Sequence, residues 1–210
     1  MSKKPTLVLG SYNPGKLIEL KELLGDVEIE ILSLTDFPEA REVVEDGDTF
    51  AANAEKKACE QAARLGRWVL AEDSGLSADA LSGAPGVYSA RYAGENADDE
   101  QNNQKLLAAL AETPLEQRTA RYVCHAALSD SSGKIRARRE ETCEGRIALQ
   151  PRGTNGFGYD PLFEVLTSDH PDGETFGILS AEIKHQLSHR GKATRAILPE
   201  LIELLTSSAE

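Results

Sequence analysis

The sequence predicts an α/β protein with a mixed β-sheet in two lobes, and three features of its 210 residues carry that prediction. The first thirty-odd residues read as strand, helix, strand, the opening of an α/β fold. Two β-rich runs farther on flank a turn, and such a hairpin makes the sheet mixed. No repeat or low-complexity linker divides the chain, so its length suits one domain spanning residues 1–210 with two lobes.

Taken in order, Thr6-Leu7-Val8-Leu9 is a short apolar run of β formers. Asn13 suits an N-cap and Pro14 the first helical position, and Leu17, Leu20 and Leu24 form a helical stripe that stops at Gly25. Residues 27–34 alternate Val27, Ile29 and Ile31 against acids, which predicts a second strand. A helix over residues 48–65 ends at Gly66, and residues 67–71 form a short strand whose end leads into Glu72-Asp73-Ser74-Gly75. Residues 76–94, rich in Gly and Ser, read as loops with short elements. A third helix covers residues 98–111, closed by Thr113-Pro114. Residues 122–128 and 135–142 form the hairpin around Ser131-Ser132-Gly133. A glycine-rich loop at 153–158 precedes a strand at 162–166, and residues 192–205 form a closing helix that Pro199 is expected to kink.

The composition, 40% hydrophobic and 28% charged, is that of a globular protein. A net charge of −12 disfavours non-specific nucleic-acid binding, so any anion site must come from local convergence of a few basic residues. Cys59, Cys124 and Cys143 are far apart and lack a C-x-x-C spacing, which points away from a disulfide framework or zinc and toward a reducing, cytoplasmic setting. Residues 1–10 do not read as a signal peptide, and no apolar stretch approaches the about 18 residues of a membrane span.

Gly10-Ser11-Tyr12-Asn13-Pro14-Gly15-Lys16-Leu17 matches the phosphate-loop pattern G-x-x-x-x-G-K-[ST] up to its last position, where Leu17 stands. A capped helix start leaves free backbone N–H groups and a positive dipole end that favour a phosphate, and Lys16 adds a full charge. Leu17 has no hydroxyl for Mg²⁺, and Pro14 removes one backbone donor. A damaged P-loop, an ordinary strand-to-helix turn with a surface lysine, and a different phosphate-holding turn all remain open on these residues.

Four other stretches carry candidate chemistry. Glu72, Asp73 and Ser74 sit where a strand ends, the place at which open α/β sheets bind ligands, and acids there can hold Mg²⁺; a solvated polar turn is the lesser alternative. On the second helix, Phe50, Ala54, Ala58 and Leu65 define one face; Lys57 lies at its border and Lys56 points away, so Lys57 is the better ligand. Gly156-Phe157-Gly158-Tyr159-Asp160 offers close backbone approach and aromatic faces for a base, or a tight turn with Phe157 as a core plug. Ser188 reads as an N-cap that places His189 and Arg190 in a helical first turn, where an anion or base carbonyl offsets their charge; Lys184 can join them.

Together Ser11-x-Asn13-x-x-Lys16, Asp73-Ser74-Gly75-Leu76, Gly83-x-Pro85-Gly86-x-Tyr88-Ser89-Ala90-Arg91-Tyr92, Gly156-Phe157-Gly158-Tyr159-Asp160-Pro161 and Ser188-His189-Arg190-Gly191 occur in this order. The series resembles the Ham1-like, or inosine triphosphate pyrophosphatase, family of house-cleaning nucleotide hydrolases over nearly the whole chain. The resemblance implies an elongated mixed β-sheet with two α/β lobes flanking a central nucleotide-binding cleft, usually as a homodimer. It implies hydrolysis of ITP, dITP and XTP to the monophosphate and pyrophosphate with Mg²⁺. By resemblance, Ser11, Tyr12, Asn13, Pro14, Gly15 and Lys16 hold the polyphosphate with Lys57 and Arg91. Asp73 is the catalytic acid that activates water, Glu45 and Asp73 are the metal carboxylates, and Ser74 is a neighbouring ligand. Phe157, Gly158, Tyr159, Asp160, Lys184, His189 and Arg190 frame the base. Ser11 stands where Thr is commoner, Ile183 and His185 replace a more usual Glu and Asn, and Pro199 interrupts the last helix. A P-loop-type NTPase and a nucleotide-binding module without catalysis are the two rival readings.

Overall fold

Strand β1 (Thr6–Leu9) forms from the first apolar run and lies between β2 (Glu30–Ser33) and β3 (Val69–Ala78), parallel to both. The computed structural model describes residues 4–25, 27–167 and 173–207; residues 1–3, the start of the segment that does not read as a signal peptide, lie outside them. Between β1 and β2 runs α1 (Pro14–Leu24), capped by Asn13, whose Oδ1 accepts from the N–H of Gly15 and of Lys16. Gly10 is fixed by packing: a Cβ there meets Ala71 Cβ at 2.9 Å and Val69 Cγ1 at 3.1 Å. Strand β2 is shorter than residues 27–34 because its register uses up all four residues of β1, Thr6↔Glu30 through Leu9↔Ser33.

Helix α2 (Phe50–Leu65) starts at its Thr49 cap and ends at Gly66, which adopts a left-handed φ of 60° that favours glycine. Strand β3 corrects the expectation from sequence. It does not end before Glu72-Asp73-Ser74-Gly75 but runs through them to Ala78, and its inner residues are almost all buried. The polar residues survive in mid-strand because β4 (Thr119–Ser129) continues alongside and each acid finds a partner.

Helix α3 (Asp99–Ala109) follows, with a capping box at Asp98 and Gln101. The hairpin of β4 and β5 (Ile135–Ile147) is longer than its apolar core predicts, and its five-residue connection closes only an antiparallel pair. β6 (Phe163–Val165) and β7 (Glu174–Thr175) extend the sheet antiparallel, giving the order β2-β1-β3-β4-β5-β6-β7. Strand β7, two residues long, and helix α4 (Ala181–Leu187) have too little apolar periodicity to be read from sequence. The last helix, α5 (His189–Ser207), begins three residues earlier than expected and runs through Pro199 without ending there.

The chain divides into two compact units. The first comprises Met1–Asp73, Cys124–Glu141 and Gly191–Glu210; the second comprises Ser74–Val123 and Thr142–Arg190. In the first unit, Leu7, Leu9, Leu20, Leu24, Leu70, Cys124, Ile197 and Leu201 form a core on the α1 and α5 side of the sheet. Val8, Val69, Ala71, Ala54, Ala58 and Ala62 form another on the α2 side. The core of the second unit gathers Leu76, Leu106, Leu110, Tyr122, Ile147, Tyr159, Phe163 and Phe176.

Candidate functional site

Successive residues of a strand face opposite sides of its sheet. Along β3 this continues two series: Leu70 then Glu72 on the α1 side, Val69, Ala71 then Asp73 on the α2 side. Glu72 is buried, its Oε1 3.2 Å from Lys16 Nζ and its Oε2 accepting from Cys124 Sγ at 3.4 Å. Asp73 is buried among α2 residues: Oδ1 accepts from Lys57 Nζ at 3.0 Å and Oδ2 from Asn53 Nδ2 at 3.2 Å.

Lys57 is only 9% exposed, and the same ammonium lies 3.0 Å from Glu45 Oε2. Two carboxylates from distant parts of the chain therefore share one buried cation, which offsets both their mutual repulsion and their loss of water. Lys56 instead pairs at the surface with Asp46 at 2.6 Å. The hydrogen bond between them holds the Asp46 carboxyl below its ordinary range and raises the Lys56 ammonium.

The α1 start differs from the expected row of free N–H groups. The Asn13 side chain takes those of Gly15 and Lys16, at 2.8 and 3.4 Å, and Ser11 Oγ takes that of Asn13 at 3.1 Å. Pro14 has none to offer, and Tyr12 is exposed. What these bonds leave for an anion is the helix dipole, the Lys16 charge, and the donors of the Ser11 hydroxyl and the Asn13 NH₂. Leu17 packs on the α1-side core, so the position that a P-loop gives to a hydroxyl serves packing here.

The second unit holds the other predicted residues. The Phe157 ring, 40% exposed, has Lys184 Nζ 4.7 Å and the Arg190 guanidinium carbon 5.4 Å from its centroid, cation–π contacts both. Asp160 is buried beneath: Oδ2 accepts from Phe157 N at 2.9 Å and Lys184 Nζ at 2.8 Å, and Oδ1 from the Tyr122 hydroxyl at 3.4 Å. Gly156 permits this turn, since a Cβ on it would fall on Asp160 Oδ2. His189 stacks on Tyr122 with centroids 4.6 Å apart and rings 5° from parallel. Arg190 Nη2 donates to Ser74 Oγ at 3.4 Å. Burial, with the Asp160 charge behind it, pushes the Tyr122 phenol well above its ordinary range.

Three predicted base-site or phosphate residues sit differently. Tyr159 is a core residue whose hydroxyl donates to Ser89 O at 2.7 Å, and burial raises its phenol likewise. Gly158 is tied by its N–H to Asp99 Oδ2 and by its carbonyl to Asn103 Nδ2, both on α3. Arg91, in the 3-10 helix Gly86–Arg91, pairs with Glu95 at 3.7 Å and lies over the Tyr88 ring. Sequence reasoning misses Tyr122, Asn53 and Cys124. Only Asn53 leaves a signal there, four residues before Lys57 and so on the same helical face.

The matching family model is that of the Ham1 family, over residues 7–200. The chain belongs to the Ham1 family. A protein named dITP/XTP pyrophosphatase from Rhodopirellula baltica is 51% identical over 209 residues, covering 100% of this chain and 99% of its own. Another of that name from Shouchella clausii is 50% identical over 197 residues, 94% of this chain and 96% of its own. Among solved structures, a HAM1 protein from Coxiella burnetii superposes with a TM-score of 0.83 at 40% identity, covering 97% of this chain and 99% of that one. The Ham1 protein of Staphylococcus aureus gives 0.80 at 38% identity, covering 94% and 98%. The mixed α/β fold is thus that of the Ham1 family.

Among the described residues no helix is long and apolar enough to cross a membrane, and no group of three or more His, Cys, Asp and Glu side chains is arranged to hold a metal ion. The Glu45 and Asp73 pair supplies two oxygen donors, the hard ligands that Mg²⁺ takes before filling its remaining positions from phosphate and water. The donor chemistry fits that ion.

Proposed function

We propose that this Ham1-family chain is a pyrophosphohydrolase that cleaves ITP, dITP and XTP between the α- and β-phosphates, releasing the nucleoside monophosphate and pyrophosphate. By removing deaminated purine nucleotides it keeps them out of DNA and RNA. Relatives about half identical over the full chain carry the name dITP/XTP pyrophosphatase. The observation that carries the reading is the buried Lys57 between Glu45 and Asp73, both at 3.0 Å. Such a cluster is suited to receive a polyphosphate and its counterion, and a plain structural turn has no use for it.

Lys16 and Lys57 neutralise charge on the polyphosphate, as cations do in phosphoryl transfer. Asp73 is the general base: each of its oxygens already accepts one hydrogen bond and keeps a further lone pair for the attacking water, whose proton it receives. Glu45 and Asp73 would hold Mg²⁺, which would supply Lewis-acid polarisation of the phosphate oxygens. Ser11, Asn13 and the α1 dipole favour the far phosphates, and Arg91 is a further phosphate ligand.

The base lies on the exposed Phe157 ring, a face that stacks without regard to base identity. Selection comes from the buried donors of His189 and Arg190 aimed at a 6-keto oxygen. A 6-amino purine leaves those donors unpaired, a discrimination that can reach roughly 10⁴-fold. Asp160 and Lys184 brace the Phe157 turn. The reading extends to a homodimer in the cytoplasm, in keeping with Cys59, Cys124 and Cys143 being outside any disulfide.

A panel of ITP, XTP, dITP, GTP, ATP and dUTP, scored by released pyrophosphate with Mg²⁺ present, tests the reading. Stoichiometric pyrophosphate from the first three and little from the others is expected. Orthophosphate as first product removes the bond assignment, and intact ITP removes catalysis altogether. Light scattering in solution checks the homodimer.

A further inference from the structure

The carboxylate pair has a support beyond its shared lysine. Asn53 lies on α2 one turn before Lys57 and is 1% exposed. Its amide is engaged at both ends: Oδ1 accepts from Gly47 N at 2.8 Å and Nδ2 donates to Asp73 Oδ2 at 3.2 Å. A backbone N–H can only donate, so Gly47 determines which end of the amide is oxygen, and the NH₂ is left to face Asp73. The approach is close. A Cβ on residue 47 would stand 2.7 Å from Asn53 Oδ1 and 2.8 Å from Ala52 Cβ, distances that side chains do not tolerate. Gly47 follows Glu45 by two residues, so the amide that orients Asp73 also pins the segment that delivers Glu45.

We infer that Asn53 is a positioning residue that sets the orientation and spacing of Glu45 and Asp73, and through them the affinity of the divalent-metal site; this rests on the pyrophosphohydrolase reading above. Asn53 acts through the two carboxylates and touches neither phosphate nor metal. Without its amide, Asp73 turns about its Cβ–Cγ bond with only Lys57 to hold it, and the Glu45 segment loses its anchor to α2. Groups that orient metal carboxylates are worth about 10–100-fold in metal affinity or activity.

The test uses the full chain with Asn53→Ala and, separately, Gly47→Ala, which keeps the Asn53 side chain but crowds its Oδ1. Mn²⁺ is titrated in the presence of pyrophosphate and followed by loss of the free-ion EPR signal. In parallel, the Mg²⁺ concentration for half-maximal pyrophosphate release from ITP is measured, along with the thermal midpoint. Both variants are expected to weaken Mn²⁺ binding and raise the Mg²⁺ midpoint together, by about tenfold or more, with KM for ITP at saturating Mg²⁺ little changed. If Asn53→Ala does not fold, Gly47→Ala decides alone. Metal affinities within twofold of the parent in a folded variant, with only the thermal midpoint lowered, overturn the inference, as does a parent protein that binds no Mn²⁺ with pyrophosphate. A parent that binds Mn²⁺ with the expected loss in the variants, yet leaves ITP intact, upholds the positioning role and removes the pyrophosphohydrolase reading instead.

Discussion

Glu72 and Asp73, consecutive in β3, turn their carboxylates to opposite sides of the sheet, one to Lys16 on α1 and the other to Lys57 on α2. A doublet of acids that looks interchangeable in sequence is thus two separate ion pairs, each with its own helix. Asp73→Asn keeps the shape and is expected to lower pyrophosphate release from ITP by about 10²–10⁴-fold, the range for losing a general base. Glu72→Gln leaves Lys57, Glu45 and Asn53 in place, so its loss is smaller. Steady-state rates for the two variants, with circular dichroism to confirm folding, decide between them.

Lys57 and Lys56 make a second such contrast. Lys57→Met strips the shared cation from the buried Asp73 and the half-buried Glu45 and is expected to cost both activity and about 3 kcal/mol of stability, the low end for breaking a buried pair. Lys56→Ala removes only a surface partner of Asp46 and is expected to leave rate and melting temperature as they are. Urea unfolding beside pyrophosphate release reads both.

Leu17→Ser restores the P-loop pattern in letters. Because Leu17 packs on the α1-side core, the substitution is expected to gain no activity and to lose about 1–3 kcal/mol on unfolding. A gain in ITP or ATP hydrolysis points to P-loop chemistry instead.

Phe157→Ala removes the exposed ring but leaves Asp160 and its partners, since Asp160 accepts from the Phe157 backbone N–H. KM for ITP is expected to rise by the equivalent of about 1–3 kcal/mol of stacking, with kcat falling less. A fall confined to kcat contradicts a stacking role.

Alkaline stability follows from two tyrosines. Tyr122 and Tyr159 both have phenols raised by burial above the ordinary value of 10.0. Below that value folded and unfolded chains hold the same phenolic protons, so this contribution to stability is full and flat. Above it the unfolded chain releases them first, and Tyr122 alone removes about 1.4 kcal/mol per pH unit. The urea midpoint is expected to fall above about pH 10, and Tyr159→Phe to make that fall shallower.

The strongly patterned elements are legible in the sequence: β1 from its apolar run, α1 and α2 from caps and terminal glycines, and the place of Lys57 at the border of the apolar α2 face from helical spacing. The continuation of β3 through Glu72-Asp73-Ser74-Gly75 is not, because the partners of the two acids, Lys16, Cys124, Asn53 and Lys57, come from separate parts of the chain. Tyr159 shows the same limit. Its place in a glycine-rich motif suggests a ligand contact, whereas its hydroxyl is used by Ser89, seventy residues away. Short-range pattern carries propensity; long-range pairing decides which polar groups become structure.

The first unit is assembled from three stretches of chain, and its α1-side core takes Ala193, Ile197, Leu201 and Leu205 from the last helix. On the ribosome those residues follow the rest of that core. Until they do, Leu7, Leu9, Leu20 and Leu24 lack that part of their cover, and contacts of such long sequence separation form late and slowly. Glu45 and Asp73 are thus made early, on a unit whose core is complete only once the last helix is in place.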